Sequence, residues 1–340
     1  MTPEHLYYNA LALAEHGNYQ RLHALFLQYK SWGLVYEKAG SAKMLDPEES
    51  WRSLERHKVS LLLPTDADFP VLLKEIPWAP HGLYVRGTLP KSYLGIAIVG
   101  TRKASDSGRL IAEEFTKELI KHDIVIVSGL AFGIDVTAHQ TTVLRNGKAV
   151  AVLAGGVENI TPRTNERVGE EILKKDGCII SEYPIGTQPL ARFFIERNRI
   201  VSGLSKGILV IEAPSRSGTL STARFAIDQN REVFVVPGGI NNPNFSGSNN
   251  LIKQGAQLVT SPEDIIQALG LATDAKQTQP LPFLDENQQH VVNIVSQSES
   301  PITSDSIAKQ AKLDIRIVNE TLALLTIEGV IKEKNGGYYL

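Results

Sequence analysis

The sequence predicts an α/β protein built on a doubly wound, mostly parallel sheet. Two apolar runs of strand length, at residues 96–99 and 124–127, flank a segment of helical length at 107–122. Unbroken apolar runs of this kind are typical of parallel strands that are buried on both faces. Each run ends in glycine and in polar or basic residues. Because open α/β sheets bind ligands at the carboxyl ends of their strands, a ligand site is expected there.

Length and composition indicate a globular protein with more than one domain. The chain has 340 residues, of which 42% are hydrophobic and 21% are charged, and single domains seldom exceed about 250–300 residues. The apolar runs are too short to span a membrane, and the N-terminus lacks the pattern of a signal peptide. The single cysteine, Cys178, excludes an internal disulfide and a cysteine-based metal site. These features predict a cytoplasmic protein.

The overall charge restricts how this protein is able to bind a polyanion. The net charge is −2, so the surface has no general excess of basic residues. Residues 1–94 contain ten Lys or Arg and ten Asp or Glu, which leaves this region without net attraction for phosphate. Any binding of a polyanion must therefore depend on a local cluster of cations.

The N-terminal part of the chain predicts a small helical domain at 1–63, followed by an extension. Apolar residues recur at helical spacing between Leu11 and Tyr29, and Trp32 and Trp51 are predicted to anchor the core. Residues 64–94 contain five prolines, which exclude helix interiors and favour an extended chain. The apolar residues between these prolines predict that the segment packs on the neighbouring core.

Residues 95–270 carry the regular alternation of strands and helices. After the first pair, strands are predicted near 149–153, 178–181, 208–211, 232–236 and 257–259. Helices are predicted near 133–146, 163–175, 218–229 and 262–269. Parallel strands separated by helices form a doubly wound sheet, which is a Rossmann-like arrangement.

The C-terminal part predicts a polar linker at 271–283 and a winged-helix domain at 284–340. Its predicted helices lie near 285–296, 304–311 and 314–328, and a strand pair that turns at 335–337 follows them. This domain contains five Lys or Arg and eight Asp or Glu, so its charge opposes contact with phosphate. We therefore expect this domain to contact another protein or to have a regulatory role, although winged helices often bind DNA.

Five predicted loops at the carboxyl ends of strands are rich in cations and glycines, and such loops converge on one edge of the sheet. They are residues 100–105, 128–133, 155–156 with 161–165, 192–199 and 214–219. Their cations are Arg102, Lys103, Arg163, Arg192, Arg197, Arg199 and Arg216, against the single carboxylate Glu196. Arginines beside glycine-rich helix starts bind phosphate through charge-assisted hydrogen bonds and backbone N–H groups. Arg197 and Arg199 have an alternative structural interpretation, as partners of Glu182 or Glu212.

Motifs of the common enzymes of this fold class are absent from the sequence. The first strand–helix turn, at 100–105, lacks the G-x-G-x-x-G pattern of dinucleotide sites. The turn at 217–219 is not preceded by the G-x-x-x-x-G-K of a Walker A loop, and no G-x-S-x-G nucleophile motif occurs. No His, Asp or Glu residues have metal-ligand spacing. The sequence predicts a phosphate-binding edge without a catalytic residue, a cofactor or a metal.

Several of these segments together resemble one protein family. The segments 98–102, 128–135, 181–184, 197–200 and 212–219 are similar in sequence and order to the DNA processing protein A family, also called DprA or Smf. Segments 236–238 and 250–256 extend the resemblance, which covers most of residues 66–270. Many members also carry a small helical domain before this core and a winged helix after it.

The resemblance implies a bacterial protein, not an enzyme, that binds single-stranded DNA and loads the RecA recombinase onto it during natural transformation. It also implies a homodimer formed through the core. The family's DNA-contacting arginine falls on Arg102 and its second basic residue on Arg163. The full set of residues predicted to bind DNA is Arg102, Lys103, Ser128, Gly129, Gly133, Arg163, Asn165, Arg197, Arg199, Ser217, Gly218 and Thr219. Three positions depart from the family pattern, since Thr161 replaces a tyrosine, Phe132 replaces an arginine and Ile195 replaces a proline.

Aromatic side chains near this edge bear on the same prediction. Sequence-independent binding of single strands uses phosphate contacts together with aromatic faces on which bases stack. Phe132, Phe193 and Phe194 are candidates for such a face, and each is also a candidate for the core.

Two other functions stay open at this point. The core is distantly similar to phosphoribohydrolases that carry a catalytic glutamate after a Gly-Thr pair. In this chain Gly218 and Thr219 are followed by Thr222 at the glutamate position, so the carboxylate is missing. The other alternative is a scaffold whose strand edge binds nothing.

Overall fold

The computed structural model describes residues 2–38, 45–271, 284–298, 301–327, 330–334 and 336–339. The contacts divide the chain into two compact units, Met1–Leu271 and Ala272–Leu340. Apart from Leu271, the predicted linker at 271–283 lies outside the described residues. No helix in the described part of the chain is both long and apolar enough to cross a membrane.

The first unit begins with a group of helices. They are α1 (Pro3–Ala14), α2 (Tyr19–Tyr29), α3 (Trp32–Lys38) and α4 (Pro47–Arg56). Asn18 and Asp46 cap α2 and α4, because each side chain accepts a hydrogen bond from a backbone N–H in the first turn. Leu11 and Trp32 are buried in a cluster that also contains Ile179 of the later sheet. This core, shared by the helices and the sheet, is not predicted by the sequence pattern.

Two strands of the sheet lie at the end of the predicted helical domain (1–63) and in the predicted extension (64–94), respectively. They are β1 (Val59–Leu62) and β2 (Leu83–Gly87), with the short helix α5 (Val71–Lys74) between them. The two strands pair antiparallel, with Leu61 opposite Tyr84. The prolines lie outside both strands, so they limit the strands' length and do not prevent pairing.

The remaining strands of this unit continue the same sheet. They are β3 (Gly95–Val99), β4 (Val125–Ser128), β5 (Ala149–Val152), β6 (Cys178–Ser181), β7 (Gly207–Val210), β8 (Glu232–Val235) and β9 (Gln257–Leu258). The order across the described sheet is β1-β2-β6-β5-β4-β3-β7-β8-β9. Strands β3 to β9 are parallel, and β2 joins β6 antiparallel. The predicted doubly wound, mostly parallel sheet is confirmed.

Helices connect these strands and cover the sheet. They are α6 (Asp106–Lys121), α7 (Ile134–Leu144), α8 (Glu166–Lys174), α9 (Ala191–Gly203), α10 (Gly218–Asp228), α11 (Ser246–Lys253) and α12 (Pro262–Ala268). The segment 192–199, predicted as part of a loop, lies within α9, so that prediction was wrong. Its basic residues obscure the helical pattern, because Arg197 and Arg199 occupy buried positions that are usually apolar.

The strand order places a ligand crevice between β3 and β7. From β3 the chain proceeds through β4, β5 and β6 on one side, whereas β7, β8 and β9 lie on the other. The loops after β3 and β7 therefore diverge to opposite faces of the sheet, and the carboxyl edge opens between them.

The described part of the second unit contains three helices and a strand pair. They are α13 (Glu286–Ser296), α14 (Ser304–Ala311), α15 (Ile315–Ile327), β10 (Lys332–Lys334) and β11 (Gly337–Tyr339). Val291, Ile307 and Leu322 are fully buried in its core. This order of elements is the one expected for a winged helix, and the assignment to that fold stays a prediction.

Candidate functional site

A cavity of about 620 Å³ lies at the crevice between β3 and β7. The loops after β3, β4 and β7, one face of α9 and the start of α10 form its walls. Its lining includes Gly100, Arg102, Gly129, Asn198, Arg216 and Thr219. Segments predicted separately to bind phosphate are therefore brought together in one concavity.

Arg102 contributes an exposed cation to this cavity. Its guanidinium carbon lies 5.1 Å from the centre of the Phe194 ring on α9, an arrangement that favours a cation over an aromatic face. Thr101, which is buried, holds the turn because its hydroxyl accepts a hydrogen bond from the Lys103 N–H at 3.2 Å. Lys103 itself is exposed and does not line the cavity.

Glu212, at the end of β7, fixes the loop that carries Arg102. Its backbone carbonyl accepts from the Thr101 N–H at 2.7 Å. Its fully buried carboxylate accepts hydrogen bonds from the backbone N–H of Ser105, at 3.0 Å, and from the Ser105 hydroxyl. Ser105 in turn caps α6. Glu212 is therefore a structural carboxylate that positions the first wall of the cavity.

The second wall is the turn after β4. Ser128 is buried and donates its hydroxyl to the carbonyl of Ile98 at 2.7 Å, so its side chain ties two strands together. The Gly129 N–H donates to the Asp135 carboxylate at 3.1 Å. Gly133 has φ +77, and a side chain there would meet the carbonyl of Thr101. Ser128 and Gly133 do not line the cavity, whereas Gly129 does.

Arg197 lines the cavity beneath this turn, although its side chain is almost fully buried. It is 4% exposed, and one of its guanidinium nitrogens donates to the carbonyls of Gly129, at 2.8 Å, and Val152. Burial lowers the pKa of Arg197 to about 10, and Asp135 opposes this shift, so the guanidinium stays charged at neutral pH. A side chain at Gly129 would meet this guanidinium at 2.5 Å. Arg197 thus supports the turn from below.

Arg199 makes a buried ion pair. Its two terminal nitrogens each donate to a carboxylate oxygen of Glu182 at 2.6 Å. Its Nε donates to the carbonyl of Trp78 at 3.0 Å. The structural interpretation of Arg199, as a partner of Glu182, is confirmed, and its guanidinium does not line the cavity.

Arg163 and Asn165 lie in the 3-10 turn before α8. Asn165 is buried, and its amide donates to the carbonyl of Leu130 at 2.9 Å. Arg163 is exposed and does not line the cavity. Its side chain is therefore free of the packing that holds Asn165, and its contact with DNA stays a prediction.

The third wall is the N-terminus of α10. The Ser217 hydroxyl accepts from the Thr219 N–H at 3.1 Å and caps the helix. Gly218 has no atom within 4 Å of the place where a side chain would begin. The preceding residue, Arg216, is exposed at the cavity. A helix N-terminus with an adjacent arginine attracts anions, because its N–H groups and dipole favour negative charge.

The predicted set of DNA contacts lacks several cavity residues, among which Arg216 and Asn198 carry polar side chains. Arg216 belongs to the predicted cation cluster, and its place just before a helix start is the signal that identifies it. Asn198 lines the cavity from α9, and its amide donates to the Ser221 hydroxyl at 3.0 Å and to the Gly218 carbonyl at 3.3 Å. Asn198 lies in segment 197–200, which carries the family resemblance, but its place at the cavity depends on how α9 packs on α10.

The three candidate aromatic faces differ in exposure. Phe132 is 47% exposed, whereas Phe193 is 4% exposed and stacks on Tyr183 with 4.2 Å between ring centres. Phe194 is half-buried under Arg102. Phe132 is therefore the candidate whose ring is most open to solvent.

The walls of the cavity are suited to holding an anion. Arg102 and Arg216 are exposed cations, and the start of α10 adds oriented N–H groups. Asp135 also lines the cavity. Burial raises the pKa of its carboxyl while Arg197 lowers it, and the carboxyl is engaged by the Gly129 N–H. Thr222, at the position of the phosphoribohydrolase glutamate, is buried at the cavity. No cluster of His, Cys, Asp or Glu that could hold a metal occurs among the described residues.

Comparison with known proteins assigns the chain to a family. Residues 60–270 match the family model of the DNA recombination-mediator protein A. Protein Smf of Escherichia coli is 38% identical over 308 residues, which are 87% of this chain and 80% of that protein. The chain belongs to the DNA processing protein A (DprA/Smf) family. The predicted resemblance is confirmed.

Other members of the DprA/Smf family support the same assignment. The DNA processing protein DprA of Bacillus subtilis is 40% identical over 203 residues, which cover 59% of this chain and 68% of that protein. The crystal structure of DprA from Streptococcus pneumoniae has a TM-score of 0.62 at 34% identity and covers 69% of this chain and 81% of that one. A DprA structure from Helicobacter pylori, described for its single-stranded DNA binding mode, has a TM-score of 0.56 at 29% identity and covers 62% and 95%.

Proposed function

We propose that this protein binds single-stranded DNA at the carboxyl edge of its sheet and loads a RecA-type recombinase onto that DNA. The observation that carries the proposal is the cavity at the crevice between β3 and β7. There Arg102, Arg216 and the N-terminus of α10 face one concavity. Membership of a recombination-mediator family and the DNA-binding relative from H. pylori support it.

The role of each wall follows from its chemistry. Arg102 and Arg216 neutralise phosphates, and each such contact makes binding salt-dependent. The backbone N–H groups at the start of α10 hold a phosphate without reading the base. Ser128, Asn165, Arg197 and Arg199 act indirectly, because their side chains are buried and bonded inside the protein. Sequence-independent binding is the expected result.

We propose a binding role rather than an enzymatic one. Asp135 is already engaged by Gly129, and Thr222 stands where phosphoribohydrolases place a glutamate. The proposal predicts that no base is released from nucleoside monophosphates. Release that Thr219→Val abolishes would contradict it.

The central test removes the exposed cations. We expect Arg102→Ala and Arg216→Ala each to weaken binding of an oligothymidylate about tenfold, and to reduce the slope of log K against log salt by about 0.7 per lost contact. Arg163→Ala tests whether DNA extends beyond the cavity, and we expect a smaller loss. Fluorescence anisotropy at several salt concentrations measures both quantities.

The matched control is Arg145→Ala. Arg145 is exposed at the carboxyl end of α7, whereas the cavity lies near the start of that helix. Its removal changes the net charge by the same amount and is expected to leave affinity unchanged. Equal affinities for the wild type, Arg102→Ala and Arg216→Ala would reject this DNA site.

The loading role, the homodimer and the cytoplasmic location are parts of the same proposal. A dimer would present two cavities to one strand and raise its avidity. Light scattering after gel filtration measures the oligomeric state.

A strand-exchange assay with DNA coated by a single-strand-binding protein measures recombinase loading, which we expect Arg102→Ala to abolish. In such an assay, exchange that does not depend on this protein would contradict loading.

A further inference from the structure

A second cavity, of about 580 Å³, borders the first across α9. Its walls come from α2, the loop after α5, α9 and α10. Ile195 on α9 is 54% exposed and lines both cavities. A strand that leaves the first cavity over Ile195 therefore enters the second one. The volume lies in the range of sites that enclose a small molecule.

Trp78 projects an exposed indole at this cavity. Its side chain is 64% exposed, although tryptophan is a residue that folding usually covers. Its backbone has φ +60, a left-handed conformation that bulky side chains rarely adopt. The Trp78 carbonyl accepts a hydrogen bond from Arg199, which is itself held by Glu182. The protein thus fixes a strained backbone that presents an aromatic ring to solvent, and such strain is concentrated at ligand sites.

The cavity that Trp78 lines also contains an exposed cation, Arg192. Arg192 is exposed, and its guanidinium carbon lies 5.0 Å from the centre of the Phe193 ring. Phe193 is in turn stacked on Tyr183, so the platform beneath Arg192 is rigid. Glu196 also lines the cavity, and its carboxylate accepts a hydrogen bond from the Tyr183 hydroxyl at 2.8 Å. Arg192 is therefore the side chain of this wall that is available to a phosphate.

The rest of the lining suits a nucleobase. Phe225 of α10 contributes a half-buried aromatic wall, the exposed amide of Gln20 supplies a donor and an acceptor, and Asn18, whose oxygen caps α2, supplies a donor. An aromatic face with adaptable amides accepts any base, because every base has a flat π-face. Arg192 and the Trp78 ring thus offer the two kinds of contact that bind single strands, which are a cation for phosphate and an aromatic face for a base.

We propose that the second cavity receives an unstacked base of the same strand whose phosphates occupy the first cavity. Trp78 is the stacking face, and Arg192 contacts the phosphate that crosses α9. This proposal rests on the proposed function, and it extends the DNA path from the sheet edge to the N-terminal helices. It makes the interface longer than one cavity.

The test compares Trp78 variants with a short and a long oligothymidylate, of about 4 and about 16 nucleotides. We expect Trp78→Ala to lose about tenfold in affinity for the long oligomer and less than about twofold for the short one. Trp78→Phe keeps an aromatic face and is expected to retain most of the affinity. Trp78→Leu keeps apolar bulk without an aromatic face and is expected to behave like Trp78→Ala.

Intrinsic fluorescence locates the DNA directly. The chain has three tryptophans, of which Trp32 is 3% exposed and Trp78 is 64% exposed. The long oligomer is expected to quench wild-type fluorescence, and Trp78→Phe is expected to lose the quenching while it still binds. Quenching that persists in Trp78→Phe would place the contact at another tryptophan and overturn the proposal.

Arg102→Ala separates this proposal from the function on which it rests. We expect that variant to lose affinity for both oligomers. If Arg102→Ala loses affinity and Trp78→Ala binds the long oligomer like the wild type, the strand does not use the second cavity and this proposal alone fails. If Arg102→Ala binds both oligomers like the wild type, the DNA site itself is wrong. Leu144→Ala, which removes another exposed apolar side chain, is the control for nonspecific loss.

Discussion

The arginines near the sheet edge fall into two groups that differ in burial. Arg102 and Arg216 are exposed at the cavity, where a guanidinium is free to meet phosphate. Arg197 and Arg199 are 4% and 3% exposed and bind backbone carbonyls or Glu182. The same residue type is thus open to a ligand in one group and serves as internal support in the other.

Gly133 is a residue at which only glycine fits. Its φ of +77 disfavours other residues, and a side chain would collide with the Thr101 carbonyl. We expect Gly133→Ala to lower the free energy of unfolding by about 2 kcal/mol or more, measured by urea denaturation. The control is Gly218→Ala, which has open space and an ordinary φ, and its change is expected to stay below about 0.5 kcal/mol. Equal stability of the two variants would contradict the steric argument.

His139 makes stability depend on pH. Burial lowers its pKa to about 4, below the 6.5 of an ordinary histidine. Between these values the unfolded chain takes up a proton that the folded protein does not, so stability falls as pH decreases from 6.5 to 4. This loss is on the order of 3 kcal/mol for His139. Burial also lowers the pKa of His81 to about 4, with smaller effects of His23 and Arg199 in the same direction, and this adds to the slope.

We therefore expect His139→Leu to flatten part of the decline in stability between pH 6.5 and 4. Urea titrations at several pH values give the slope, and the exposed His122→Leu is the control. A slope in His139→Leu that equals the wild-type slope would show that His139 is protonated normally in the folded protein.

At the scale of elements, α9 is the connection between the site and the N-terminal helices. Asn198 lines the first cavity. Arg199 donates a hydrogen bond to the carbonyl of Trp78, and its guanidinium carbon lies 5.2 Å from the centre of the Tyr19 ring of α2. The helix α9 therefore supports the fold through Arg199, lines the first cavity through Asn198 and separates the two cavities at Ile195.

The Arg199–Glu182 ion pair is expected to stabilise this connection. Arg199→Met leaves the Glu182 carboxylate buried without its partner, and we expect a loss of about 3–5 kcal/mol in urea unfolding. Adding Glu182→Gln is expected to recover part of that loss, because the unpaired charge is removed. Arg102→Ala, at an exposed position, is expected to unfold like the wild type. A small change in the free energy of unfolding of Arg199→Met would show that water solvates the Glu182 carboxylate once its partner is removed.

At the scale of the whole molecule, the division at Leu271 leaves the proposed DNA site entirely within the first unit. Residues 284–340 carry five Lys or Arg and eight Asp or Glu, so they repel phosphate on balance. We expect a chain ending at Leu271 to keep most of its affinity for single-stranded DNA in the anisotropy assay. The full-length chain under the same salt conditions is the comparison. A large loss would show that the C-terminal unit contacts DNA despite its charge.

Much of the fold follows from local patterns in the sequence. The apolar runs at 96–99 and 124–127 correspond to β3 and β4, because strands buried on both faces need apolar residues at every position. The loops after them were predicted to meet, and the structure shows that they do. In contrast, β1 and β2 were missed, since β1 closely follows a helical segment and β2 lies in a proline-rich one.

By itself, the sequence determined the doubly wound sheet, its family and the edge where cations gather. Only the tertiary structure decided which of those cations face solvent. Arg197 is bonded to Gly129, 68 residues away, and the partner of Arg199 lies 17 residues away. The Trp78 carbonyl accepts its hydrogen bond from Arg199 of α9, 121 residues away in the sequence. Periodicity reports how each segment is buried, whereas the role of a charge depends on neighbours that folding brings from distant parts of the chain.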